Sequence, residues 1–155
     1  MSGSIDARLK ELGIDLPEAA APVANYVPYT ITGNLVFVSG QLPMANGELN
    51  HRGRLGDDVS VEDAQIAARM CGLNLLAQLK AACSGDLDRV TQVIKLGGFV
   101  NGTPEFTDQA LVINGTSDLM VEVFEGKGKH ARAAVGCVAL PLGAAVEVDG
   151  IFEIA

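Results

Sequence analysis

Tryptophan is absent from this 155-residue chain, and aromatic residues of all kinds make up only 5% of it. Basic residues are also scarce: 11 Lys and Arg stand against 19 Asp and Glu, a formal net charge of -8. Because a protein that neutralises phosphates needs the opposite balance, this charge disfavours nucleic acid as a partner. No apolar run approaches the ~20 residues of a membrane span. Charges also interrupt the first residues, where a signal peptide would need its apolar segment. The sequence predicts a soluble, cytoplasmic protein with no membrane partner.

Cysteine and histidine are too few and too scattered to suggest a metal site. The three cysteines, Cys71, Cys83 and Cys137, form no C-x-x-C pair, and their odd number favours reduced thiols that act as small core residues. The only two histidines, His51 and His130, have no partner at ligand spacing. Glycine-rich dinucleotide and phosphate loops are missing too. We therefore expect neither a metal nor a cofactor.

Apolar residues are abundant, at 48%, and charged residues make up only 19%. This composition excludes disorder and implies a large buried surface, part of which we expect between subunits. The length fits one domain over residues 1–155. Ser4 precedes a short amphipathic pattern that ends at Gly13, so residues 1–21 are expected to form an N-terminal helical extension with Ser4 as its cap.

Periodicity predicts two strands, a helix, a strand, a second helix and two more strands after an extended, proline-containing connector over 16–28. A Gly-rich, charged stretch over 43–58 is expected to be a mobile loop. The pattern favours an α+β fold, with a single mixed β-sheet and two helices packed on one face. The predicted elements are strands 29–32 and 34–41, helix 60–83, strand 90–101 with an irregularity at its Gly-Gly pair, helix 114–124, and two strands around a turn at 140–143.

Arg132 and Glu147 are the charged residues that indicate a chemistry. Arg132 lies in an alanine-rich strand, where a guanidinium must find a carboxylate, carbonyl oxygens or a ligand. It is either a structural residue that reaches the sheet edge or an acidic neighbour, or it is a substrate anchor. Glu147 is either a solvated strand residue or a general base. Together the two side chains suit the hydrolysis of a small carboxylic acid.

Ser39 ends a predicted strand in the sequence Ser-Gly-Gln, which superficially suggests a nucleophile. No G-x-S-x-G motif surrounds it, and no histidine is identifiable as its base. The pattern favours a hydroxyl that bonds to the backbone or to a ligand.

Three segments carry a more specific signal: NYVPYTITGNLVFVSGQLP, GDLDRVTQVIKLGGFVN and HARAAVGCVALPLGAAVEVDGIFEI. In the last of these, Arg132 is followed eight residues later by Leu140-Pro141 and then by Glu147 within V-E-V-D. Over residues 22–154 the chain resembles the RidA/YjgF family of reactive-intermediate deaminases, also known as the endoribonuclease L-PSP family. The N-terminal helix and the loop around His51 resemble a longer branch of that family.

The resemblance implies a chorismate-mutase-like fold and a homotrimer with clefts between its subunits. It also implies that 2-imino acids are hydrolysed to 2-keto acids and ammonia without a metal or cofactor. Arg132 would bind the substrate carboxylate and Glu147 would activate water. Other residues would contribute to substrate binding. These are Tyr26, Ser39, Asn114 and Ala134, the last standing where deaminating members usually carry Cys.

If the last two strands pair directly around a four-residue turn, Arg132 lies opposite Ile151. Arg132 and Glu147 are then offset by four residues, about 13 Å along the sheet, which leaves no direct salt bridge between them. Three functions remain open: an imine or enamine hydrolase, a non-catalytic trimer that binds small carboxylates, and a ribonuclease. The -8 charge disfavours the ribonuclease.

Overall fold

A computed structural model of the chain describes residues 3–21 and 24–155. Two residues of the expected connector, Pro22 and Val23, therefore lie outside the described part. None of the helices in the described residues is long and apolar enough to cross a membrane. The elements are α1 (Ser4–Glu11), β1 (Tyr29–Thr32), β2 (Leu35–Gln41), β3 (Met44–Ala45), β4 (Glu48–Leu49), α2 (Val61–Ala82), β5 (Val90–Asn101), α3 (Gln109–Phe124), β6 (Ala131–Cys137) and β7 (Val146–Ile154).

A five-stranded mixed sheet in the order β1-β2-β7-β5-β6 forms the centre of the fold. The β5–β6 pair is parallel, and the other pairs are antiparallel. A parallel pair needs a crossover connection, and α3 provides it between β5 and β6. β3 and β4 form a separate two-stranded hairpin. The predicted α+β architecture with one mixed sheet is confirmed.

Both long helices cover the same face of the sheet, as the sequence predicts. The Ser60 hydroxyl caps α2 by accepting the backbone N–H of Asp63 at 3.1 Å. Residues at every second position of β7 are buried against the helices, and Phe152 is fully inaccessible. α2 and α3 approach each other closely at Gly115, where an added Cβ would meet the carbonyl oxygen of Gln65. The core lies between this helix pair and the sheet.

The opposite face of the sheet carries no helix in the described residues. Three rows of neighbouring side chains run across this open face, and the first consists of Thr30, Phe37, Ile151, Lys95 and Ala131. The second row contains Asp149, Gly97 and Ala133, and the third contains Glu147, Phe99 and Val135. Phe37 is 38% exposed and Val135 is 48% exposed. The face thus combines exposed apolar side chains with one charged residue in each row, and exposed apolar area of this kind is typical of a surface that another subunit covers.

The N-terminal helix is held by a residue far away in the sequence. The carboxylate of Asp88 accepts the backbone N–H groups of Ser4 and Ile5 at 2.9 and 2.8 Å. These hydrogen bonds hold the pKa of Asp88 below its usual range. Ser4 was expected to be the cap, but Gly3 occupies that position without a side-chain bond. The sequence could not show this because the capping carboxylate comes from another part of the chain.

The predicted pairing of the last two strands is wrong. β5 lies between β6 and β7, so Arg132 is opposite Leu96 and not opposite Ile151. The turn at residues 140–143 exists, but it leads the chain past the end of β5. Asn101, the last residue of β5, bonds there to the backbone of Ala144 and Ala145. A strand buried along its length needs hydrogen-bonded neighbours on both sides, and this order gives them to both β5 and β7.

Three smaller expectations also need correction. α3 begins at Gln109, five residues before the predicted Asn114. The sequence did not indicate this start because no side-chain cap marks the first turn of the helix. The irregularities of β5 fall between Val90 and Lys95 and not at the Gly-Gly pair. The stretch over 43–58 is not a free loop: it contains the β3–β4 hairpin and the fully buried Leu55, which is bonded to β5 through the backbone of Asn101.

Candidate functional site

Arg132 points from β6 toward α3, on the helix-covered side of the sheet. Its Nη1 donates to Asn114 Oδ1 at 2.9 Å and to Ser117 Oγ at 3.1 Å, and its Nη2 donates to the carbonyl oxygen of Ala110 at 3.3 Å. The three acceptors follow one another at helical spacing, so they form a single stripe along α3. Arg132 and Asn114, which the resemblance names as substrate-binding residues, are in direct contact.

The hydrogen bonds of Arg132 leave two of its N–H groups without an acceptor among the described residues. A guanidinium has five N–H groups, and three of them are used by the stripe on α3. Within the described residues no carboxylate forms an ion pair with Arg132, and Nε has no acceptor. The remaining donors, on Nε and Nη2, are the two nitrogens that together bind a carboxylate side-on. The arrangement therefore suits an anchor for a small acid.

Glu147 lies on the open face near the start of β7, where it is half-buried. An added Cβ at Gly40, in the irregular part of β2, would meet Glu147 Oε1, so this carboxylate lies directly against the backbone of that glycine. Burial raises the pKa of Glu147, and the nearby charge of Asp149 raises it further. A carboxyl group whose proton affinity is raised in this way is a better general base than an exposed one.

Tyr26 and Ser39 line a cleft of about 880 Å³ on the open face. The Ser39 hydroxyl donates to the carbonyl oxygen of Val27 at 2.8 Å, and its backbone N–H donates to the carbonyl oxygen of Pro28 at 2.9 Å. Ser39 therefore holds the connector that carries Tyr26 over the sheet, as the backbone-bonding interpretation of this hydroxyl predicts. Tyr26 itself is 50% exposed at the rim.

The predicted site residues thus fall into two groups on opposite faces of the sheet. We name them the anchor half (Arg132, Asn114 and Ala134) and the base half (Glu147, Tyr26 and Ser39). Ala134 faces the helices because it is two residues from Arg132 on the same strand. Arg132 and Glu147 are separated by three residues along β5 and by the width of that strand. Within one chain the two halves do not meet.

Sequence reasoning missed four residues near these groups. Lys95 and Asp149 lie in the cleft beside Tyr26, and burial raises the pKa of Asp149 while Lys95 opposes that shift. Ser117 and His130 lie behind Arg132, linked to each other at 2.8 Å. Helical spacing from Asn114 could have indicated Ser117. His130 could not be found in this way, because its contact depends on how the chain turns between α3 and β6.

Comparison with known proteins decides the family. Residues 6–153 match the family model described as "YjgF/chorismate_mutase-like, putative endoribonuclease". The chain belongs to the YjgF/RidA family. Protein TCP17 of Trypanosoma cruzi is 51% identical over 154 residues, which cover 99% of this chain and 96% of that protein.

Two solved structures of similar proteins share the fold. Atu1372 of Agrobacterium tumefaciens, a protein of unknown function, is 56% identical over 97% of this chain and 92% of its own, with a TM-score of 0.91. RidA from Psychrobacter sp. PAMC 21119 is 26% identical over 88% of this chain and 94% of its own, with a TM-score of 0.60. YjgF/RidA membership supports a small-molecule deaminase or a related role for this chain.

Proposed function

We propose that this YjgF/RidA protein is a deaminase that hydrolyses small 2-imino acids to 2-keto acids and ammonia in clefts between the subunits of a homotrimer. The observation that carries the proposal is the division of the site into two halves on opposite faces of the sheet. Neither half alone has both an anchor for a carboxylate and a base for water. Two neighbouring chains can supply one half each.

In the proposed reaction, the substrate carboxylate binds to the open Nε and Nη2 edge of Arg132 from one subunit. Glu147 of the next subunit accepts a proton from water as the oxygen attacks the imine carbon, and the C=N double bond becomes a single bond. The protonated Glu147 then returns its proton to the nitrogen, which gives a carbinolamine with one O–H and one NH2 group. Glu147 next takes the O–H proton and passes it to the nitrogen, so the C=O bond forms while the C–N bond breaks and ammonia leaves. The balance is one imine and one water giving one keto acid and one ammonia.

Trimer formation is supported by the uncovered apolar face of the sheet. Phe37, Val135 and Ile151 lie on that face together with the base half. A closed ring of three chains would cover these side chains. It would also place β6 of the neighbouring chain, the edge strand that carries Arg132, beside each base half. Oligomerisation and completion of the site would then be the same event.

Mixing two inactive variants tests whether the site is shared. Chains with Arg132→Ala and chains with Glu147→Gln, co-expressed with different tags and purified as mixed trimers, should recover ammonia release from an imine generated in situ. In a mixed trimer one cleft of the three contains both intact residues, so the purified mixed trimers should reach about one third of the parent rate. Each variant alone should stay inactive. No recovery in verified mixed trimers would contradict a shared site.

The alternative is a trimer that binds small carboxylates without reacting with them. It is favoured by Ala134, because deaminating members of the family that the chain resembles usually carry Cys at this position. Ammonia release distinguishes the two functions. A parent protein that binds pyruvate but releases no ammonia above the uncatalysed rate would be a binding protein.

A further inference from the structure

We infer that Ser117 and His130 form a directional hydrogen-bond chain that positions Arg132 for a carboxylate. This inference deepens the proposed function and rests on it. Neither residue belongs to the anchor half or the base half defined above. Both side chains are half-buried behind the guanidinium, on the side away from its open edge.

The tautomer of a neutral His130 follows from its two contacts. Its Nδ1 lies 2.6 Å from the carbonyl oxygen of Gly128, and a carbonyl can only accept, so Nδ1 carries the proton. In a neutral imidazole the other nitrogen, Nε2, is then an acceptor. Ser117 Oγ lies 2.8 Å from Nε2, so the Ser117 hydroxyl donates its proton to His130.

The direction of the Ser117 hydroxyl decides what it offers to Arg132. Because its single proton points to His130, its lone pairs are free to accept, and Nη1 of Arg132 donates to one of them at 3.1 Å. If His130 were replaced by an apolar residue, the hydroxyl proton could rotate toward other acceptors. The Ser117 oxygen would then accept from Arg132 for only part of the time.

The turn that contains Gly128 fixes the His130 end of this hydrogen-bond chain. Gly128 lies in the tight turn that connects α3 to β6, and it is buried. An added Cβ at Gly128 would meet the carbonyl oxygen of Met120, so the turn is pressed against the end of α3. The carbonyl that orients His130 is therefore fixed relative to the helix that carries Ser117 and Asn114.

Positioning matters here because the Nε and Nη2 edge is useful only in one orientation. Asn114 and Ser117 hold the two protons of Nη1 from successive turns of α3, which fixes the plane of the guanidinium. A guanidinium with one fewer acceptor can rotate about its last side-chain bonds. Ordering the guanidinium would then reduce the favourable free energy of carboxylate binding.

A double-mutant cycle tests this chain, with pyruvate as the probe and calorimetry as the measurement. Ser117→Ala and His130→Leu should each weaken pyruvate binding about three- to tenfold. Because His130 acts through Ser117, the double variant should be no weaker than Ser117→Ala alone. Two conservative variants should restore most of the affinity: Ser117→Thr keeps a hydroxyl, and His130→Gln keeps an acceptor near Nε2.

Nitrogen-15 NMR gives a readout that does not depend on the ligand. The chain contains only two histidines, so the signals lost in His130→Gln identify those of His130. The spectrum should show a protonated Nδ1 and an unprotonated Nε2. The opposite tautomer would overturn the chain of hydrogen bonds whatever the binding data show.

The outcomes separate this inference from the proposed function. If the parent binds pyruvate and neither Ser117→Ala nor His130→Leu changes the affinity, the positioning chain is wrong and the proposed function stands. Equal further losses in the double variant would also overturn it, since the two residues would then act independently. If the parent binds no pyruvate, Arg132 is not a carboxylate anchor, and the positioning role of Ser117 and His130 is contradicted as well.

Discussion

Arg132 and Glu147 lie on opposite faces of one sheet, at levels that differ by three residues of the strand between them. Arg132 is in contact with α3, whereas Glu147 lies over Gly40 on the uncovered face. Three residues of strand correspond to about 10 Å, and the intervening strand adds a similar distance sideways. A small acid cannot span this separation through the sheet. The relationship therefore supports the proposed site between two chains.

Glu147→Gln should lower turnover of an imine generated in situ by about 100-fold or more, because the amide keeps the shape of the side chain but cannot accept the proton of water. The melting temperature and the oligomeric state should stay those of the parent. Glu153→Gln is the matched control, since Glu153 lies on the same strand and face but bonds to Thr91. If Glu147→Gln turns over like Glu153→Gln, Glu147 is an ordinary strand residue.

The bounds of the secondary-structure elements could be predicted well from the sequence where local patterns determine them. The Ser60 cap and the apolar spacing of α2 predict that helix to within a residue at each end. The Gly33-Asn34 pair predicts the β1–β2 hairpin, and Gly33 indeed has a positive φ of 58°. These features depend on residues that are neighbours in the sequence.

Strand order could not be predicted in the same way, because it depends on contacts between distant segments. The turn at 140–143 has the local signature of a hairpin, yet β5 separates the two strands that it joins. The predicted pairing would place Arg132 beside Ile151 of the open face. In the structure Arg132 pairs with Leu96 and its side chain contacts α3 on the helix-covered face. For the same reason the sequence did not indicate the contact between Ser117 and His130. The roles of the predicted site residues remain predictions.

Arg132→Lys should weaken pyruvate binding by about tenfold or more, because a single ammonium cannot present two parallel donors to a carboxylate. It should also lose the stripe of contacts to α3 that needs the planar guanidinium. Isothermal titration and a thermal melt on the same sample give both readouts. Arg69→Lys is the control, since Arg69 pairs with Glu122 on the helix surface. If the oligomer dissociates before binding weakens, Arg132 is a framework residue.

Val135→Glu should convert the proposed trimer to a monomer, because it places a charge on the apolar open face, where Val135 is 48% exposed. The mass in solution should fall from about three times 16.1 kDa to 16.1 kDa, measured by light scattering at micromolar concentration. Val121→Glu is the control, a similarly exposed valine on α3. A parent that is already monomeric would contradict both the trimer and the shared cleft.

Asp149→Asn should move the acidic limb of the kcat/KM profile to lower pH. Glu147 acts as a base only when it is ionised, so the rate falls as the pH drops through its pKa. Burial raises that pKa above the usual glutamate value of about 4.3, and the charge of Asp149 raises it further. Asparagine removes this charge and keeps the shape, so the pKa of Glu147 should fall while its burial is unchanged.

The measurement is the initial rate of ammonia release as a function of pH, corrected for uncatalysed hydrolysis at each pH. Glu153→Gln again serves as the control, because Glu153 is not among the groups that shift the pKa of Glu147. Its acidic limb should coincide with that of the parent. An acidic limb that stays in place or moves to higher pH in Asp149→Asn would mean that the limb reports a group other than Glu147. The base would then have to be sought among the other ionisable groups of the open face.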